Sequence, residues 1–213
     1  MAPRVLYLHG FASGPGSKKA QLFRRRFAEL GVPLEVPDLS AGDFEHLTIS
    51  GQLEVVEDAA RGDAVSLMGS SLGGYLAALY AARHVEVARL ALMAPAFGFG
   101  RRLFDAIGSA EAERWRKTGW RGVFNYSTGR EERLWWELIE DALAFEEFPD
   151  APQPALIFHG RRDEQVPCTL SEEFVRRQPN ARLELVDDGH RLVDSVDGIW
   201  RAAAQFLGVS AGA

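Results

Sequence analysis

The chain has 213 residues, 46% of them hydrophobic and 25% charged, which suits one domain, 1–213, with a sizeable core. A net charge of −6 gives no electrostatic basis for gripping nucleic-acid phosphates, and no apolar stretch approaches the ~20 residues of a membrane span. The lone Cys168 excludes an internal disulfide and any multi-cysteine metal site, and it fits a reducing, cytoplasmic setting.

Met1 to Leu8 carry one arginine and run straight into a strand, Val5 to Leu8, so no secretory leader is expected. That strand empties into His9, Gly10, Phe11 and Ala12, where glycine permits a close backbone approach. Ser17 can cap the first helix, on which Ala20, Phe23, Phe27 and Leu30 form one apolar face; Arg24, Arg25 and Arg26 then cover its solvated side. A short strand at Leu34 to Val36 and a helix lined by Ile49, Leu53 and Val56 follow.

The apolar run Ala64 to Met68 reads as a strand and stops at Gly69, Ser70, Ser71, Leu72 and Gly73, a G-x-S-x-G sequence. A helical stretch from Gly74 to Arg83 comes next. A strand that reverses tightly into a helix strains its turn residue and needs glycine beside it, so Ser71 is expected to project its hydroxyl from the sheet edge as a nucleophile. Ser70 and the cap tryptophans Trp115 and Trp120 are expected to face the substrate. A fourth strand spans Leu90 to Met93.

About sixty residues separate that strand from the next, Ala155 to Phe158, far more than the ~10 to 12 of a minimal crossover. An insertion of roughly 97–150 is expected here, a helical cap holding four of the five tryptophans and six phenylalanines. Most of these aromatics should form the insertion's own small core, with a few facing a pocket. Gly98 and Gly100 within it are too little for a dinucleotide fingerprint. Past the fifth strand come His159, Gly160, Arg161, Arg162 and Asp163, then a helix with Leu170 and Phe174. The last strand, Leu183 to Val186, leads to Asp187, Asp188, Gly189 and His190, and a final helix covers Val193 to Leu207. The small residues Gly208 to Ala213 should fray.

Strands alternating with helices predict a mainly parallel sheet of about six strands with helices on both faces, which puts ligand chemistry at the strand C-termini. Three loops at that edge offer a serine, an aspartate and a histidine in the order Ser71, Asp163, His190. A serine hydroxyl needs a base to take its proton and an acid to orient that base. Asp187 or Asp188 could orient His190 instead of Asp163, and His9 and His159 should shape their loops by hydrogen bonding. The amides of Leu72, at the helix start, and Phe11 are candidate donors to an oxyanion. Neither H-E-x-x-H, paired cysteines nor an EF-hand spacing occurs, so no metal and no cofactor is expected.

Taken together these residues resemble the α/β-hydrolase superfamily. His9 to Ala20 (HGFASGPGSKKA) and Gly69 to Ala77 (GSSLGGYLA) are similar to the small bacterial YqiA-type esterases. His159 to Pro167 (HGRRDEQVP) and the GHR at Gly189 to Arg191 are similar to the acyl-glucuronide esterase and palmitoyl-protein thioesterase group. The resemblance implies an α/β-hydrolase fold, Ser71 as nucleophile, Asp163 as acid, His190 as base, and Phe11 with Leu72 as oxyanion donors. It leads to the expectation of a cofactor-independent serine hydrolase acting on a small-molecule ester. A thioesterase, which shares the acyl-enzyme, and a noncatalytic binding protein that keeps the fold are the alternatives. Substrate identity and oligomeric state are not legible.

Overall fold

The computed structural model describes residues 4–209. In chain order the elements are β1 (Arg4–Leu8), α1 (Lys18–Glu29), β2 (Leu34–Glu35), α2 (Ile49–Ala60), β3 (Val65–Ser70), α3 (Leu72–Ala81) and β4 (Val87–Met93). Then come α4 (Phe99–Ile107), α5 (Ser109–Thr118), β5 (Trp120–Asn125), β6 (Arg130–Trp135) and α6 (Glu137–Ala142). The chain closes with β7 (Ala155–Gly160), α7 (Thr169–Arg177), β8 (Ala181–Val186) and α8 (Val196–Leu207).

Six strands form one parallel sheet in the order β2-β1-β3-β4-β7-β8. Side chains alternate across a strand, and here the alternation sorts them into two cores. Leu6, Leu8, Leu67, Leu90, Leu92 and Ile157 pack on the face covered by α2, α3 and α7. Val5, Tyr7, Met68, Ala91, Met93 and Phe158 pack on the opposite face with Phe23 and Phe27 of α1 and Ile199 and Ala203 of α8. Both phenylalanines of α1 are fully buried, each contributing about 1.5–3 kcal/mol. Helix α3 is buried along all ten of its residues, packed against β1, β3 and β4 of the sheet and against α2.

The ladder carries β3 on through Gly69 and Ser70, which pair with Leu92 and Met93, two residues past the apolar run that marks the strand in the sequence. Between β4 and β7 the insertion holds three helices and, besides them, the antiparallel hairpin β5-β6. At the C-terminus Val209 is not frayed: it is buried, and its amide donates to Ala204 O at 2.9 Å. Residues 210–213 of the expected fraying tail, and Met1 to Pro3 of the opening segment, lie outside the described residues. Among the described residues no helix is long and apolar enough to cross a membrane.

Candidate active site

The sheet reverses its winding direction at β1, whose neighbours are β2 on one side and β3 on the other, and a crevice opens at the strand C-termini where that happens. Leu8 pairs with Gly69 there, so the loop after β1 and the turn after β3 emerge side by side. The turn is tight. A Cβ on Gly69 would stand 2.4 Å from Gly73 O, and one on Gly73 would stand 2.1 Å from Leu8 O; both obstacles are backbone, so only glycine fits at either position. Between them Ser71 holds φ 55° and ψ −121°, a strained conformation for an L-residue, and its amide is tied to Met93 O at 2.9 Å. Ala12, Ala94 and Leu192, in three loops of the same sheet edge, also have positive φ.

Ser71 Oγ lies 3.0 Å from His190 Nε2, and His190 Nδ1 lies 2.7 Å from Asp163 Oδ2. The three side chains expected to meet are thus in one chain of contacts. Gly160, at the end of β7, makes the approach possible: a Cβ there would stand 2.4 Å from Asp188 O, in the loop that carries His190. The rival acids are engaged elsewhere. Asp187 pairs with Arg162 Nε at 2.9 Å, while the Asp188 carboxylate accepts from the amides of Gly189, Asp194 and Ser195.

The Asp163 side chain is fully buried and its four donors satisfy both oxygens. Oδ1 accepts from the Gln165 and Val166 amides at 2.9 and 2.8 Å; Oδ2 accepts from His190 and from His159 Nε2 at 3.1 Å. Burial alone would raise its pKa. The hydrogen bonds from His159, His190 and the Val166 amide, with the charge of His190, outweigh that and hold the carboxyl well below the usual carboxylate range. It therefore stays ionised.

A Cβ on Gly10 would stand 3.4 Å from Ser70 O and from Ser71 Cβ, so the His9–Ala12 loop abuts Ser71. Phe11 follows Gly10, and its amide donates to no main-chain acceptor among the described residues. Leu72 begins α3, so its amide is one of the orphan donors of a first helical turn. The Phe11 ring packs against Phe44 and Phe99 at centroid distances of 6.2 and 5.7 Å, an apolar wall beside these groups.

Ser70 faces inward: it is 8% exposed, and its Oγ accepts from Lys19 Nζ at 2.9 Å. Trp115 is 2% exposed and donates Nε1–H to Leu134 O, so it forms part of the insertion's core rather than a surface for ligand. Trp120 opens β5 at the surface with the Arg133 guanidinium 4.7 Å above its ring. Lys19 was not singled out by sequence, although it precedes Phe23 by four residues and so shares its inward face. Burial first, and Arg191 next, push its pKa down to about 8 against the pull of Asp188 and Asp163. His159, expected to shape its loop by hydrogen bonding, reaches Asp163, a contact the motif does not announce. Among the described residues no three His, Cys, Asp or Glu side chains are grouped to hold a metal ion.

The reversed sheet, the strained serine turn and the Ser71–His190–Asp163 contacts define the α/β-hydrolase fold class. Over residues 4–207 the sequence matches the uncharacterised protein family UPF0227, and the chain belongs to that family. Among solved structures it is similar to a candidate hydrolase from Agrobacterium vitis S4, at 26% identity and TM-score 0.82 over 98% of this chain and 88% of that one. Est1E from Butyrivibrio proteoclasticus, solved with ferulic acid bound, is 21% identical with TM-score 0.80 over 97% of this chain and 88% of that one. Mouse α/β hydrolase domain-containing protein 10 is 20% identical with TM-score 0.77, over 99% and 92% respectively.

Proposed function

We propose that the protein is a serine hydrolase that cleaves carboxylic esters of small or medium apolar acyl or aryl groups through an acyl-enzyme. The observation that carries this reading is the continuous contact from Ser71 Oγ to His190 Nε2 at 3.0 Å and from His190 Nδ1 to Asp163 Oδ2 at 2.7 Å. Asp163 accepts the Nδ1–H, leaving Nε2 as the basic nitrogen toward Ser71. Ser71 Oγ attacks the ester carbonyl carbon as His190 takes its proton. The carbonyl oxygen becomes an oxyanion held by the Phe11 and Leu72 amides, one such donor being worth ~3–4 kcal/mol. His190 then protonates the departing alkoxide, and a water activated by the same imidazole releases the acid from Ser71.

The aromatic wall of Phe11, Phe44 and Phe99 supports an apolar acyl or aryl group over a charged one. A fluorophosphonate probe tests the core of the reading. Wild type is expected to be labelled and Ser71→Ala not; an unlabelled wild-type protein is instead a binding protein on this fold. Matched p-nitrophenyl and thioester substrates of equal acyl length then measure ester against thioester, with higher kcat/KM expected for the ester.

A further inference from the structure

Asp163 Oδ2 serves two imidazoles at once. Besides His190 it meets His159, in β7, whose side chain is fully buried and whose every ring nitrogen is engaged. His159 Nε2 lies 3.1 Å from Asp163 Oδ2 and 2.9 Å from Val166 O. Both are acceptors with nothing to donate, so Nε2 must carry a proton. Nδ1 lies 2.7 Å from Oγ of the buried Ser171, whose hydroxyl can donate to the lone pair of a neutral ring. The neighbours thus fix a proton on Nε2, the nitrogen that His190 needs free.

We infer that His159 is a positioning residue for the acid of the proposed triad: its Nε2–H occupies one side of Asp163 Oδ2 and fixes the carboxylate plane, leaving the other side to His190 Nδ1. This rests on the serine-hydrolase reading and adds a fourth side chain to it. Two physical effects follow. Without the second donor the carboxylate can rotate about its Cβ–Cγ bond. It also gains proton affinity, because a buried carboxylate that loses a hydrogen bond is less stabilised as an anion, and it then holds the imidazolium more tightly. The charged groups that face Asp163 from the packed elements are Arg102 of α4 and Lys19 of α1, with Asp188 and Arg191 beside Lys19. Among the described residues none of these donates to the Asp163 carboxylate, so none substitutes for His159.

The test is the rate of fluorophosphonate labelling of Ser71 from pH 5 to 9, which needs no knowledge of the substrate. In His159→Leu the plateau rate is expected to fall roughly tenfold or more, the scale of one hydrogen bond to a charged group. Its acid limb should move to higher pH. His159→Gln, whose amide nitrogen can reach the place of Nε2, should restore both. A His159→Leu profile that matches wild type in rate and in acid limb overturns the inference, as does a lower rate with no movement of the limb and no rescue by Gln. Should His159→Leu fail to fold, nitrogen-15 NMR of the wild type decides: the His159 ring should carry its proton on Nε2, and a ring protonated on Nδ1 alone overturns the inference. No labelling of the wild type at all sinks the serine-hydrolase reading, and this role with it.

Discussion

A lysine set into the same sheet edge as Ser71 is an expensive neighbour, because Lys19 gives up most of its hydration for one hydrogen bond to Ser70. Its pKa in the fold, about 8, is below its ordinary value of 10.5, so between these pH values the unfolded chain binds more protons and folding gains with rising pH. Wild type should therefore gain stability relative to Lys19→Met as pH rises from 8 to 10, seen as a shift in the difference of their urea midpoints. His9 behaves in the same sense at lower pH. Its Nδ1–H donates to Gly10 O and its Nε2 accepts from the Leu39 amide, and burial pushes its pKa down. Stability from this group is full above the ordinary imidazole value of 6.5 and is lost as pH falls below it; the thermal midpoint should drop from pH 7 to pH 5, and less so in His9→Gln. At this scale Ser71 and His190 were legible because turn glycines and a strand-end loop announce them. Trp115 and Ser70 were not, since composition says that a side chain is present and not which way it points.

Among the elements, the strand–turn–helix unit β3-α3 tolerates least. Gly73→Ala forces a Cβ against Leu8 O, a backbone atom of the neighbouring strand, and is expected to abolish a cooperative urea transition or lower its midpoint more than any cap substitution does. By contrast, Thr48 caps α2 by accepting from the Gly51 amide at 3.0 Å, and Thr48→Ala should cost ~1 kcal/mol with fluorophosphonate labelling unchanged. Most elements could be read from apolar periodicity, as could the N-cap Ser17, whose Oγ accepts from the Ala20 amide. The hairpin β5-β6 could not. Its strands carry Arg121, Arg130, Glu131, Glu132 and Arg133 and little alternation, and what holds them is tertiary: the Trp135 amide donates to Glu45 O and the Tyr126 amide, at the turn, to Ala12 O. Such contacts leave no local pattern in a sequence.

Across the whole molecule, parallel pairing aligns every strand C-terminus on one rim, which is why residues as distant as Ser71 and His190 come together. The insertion is tied to the body above that rim. Asp141 of α6 accepts from both the amide and the hydroxyl of Ser50 in α2, and Tyr75 of α3 donates to Glu146 O. Asp141→Ala should speed hydrogen–deuterium exchange in α6 while leaving β3 and β4 protected, since the sheet has its own core on each face.

One of these ties has a bearing on any attempt to redesign the protein. The carbonyl that receives the Tyr126 amide belongs to Ala12, next in the chain to Phe11, so one main-chain hydrogen bond ties the tip of the hairpin to the loop beside Ser71. Reshaping 120–135 would tug on the main chain beside Ser71. Under the serine-hydrolase reading, variants reshaped in this hairpin should therefore be screened for turnover as well as for selectivity.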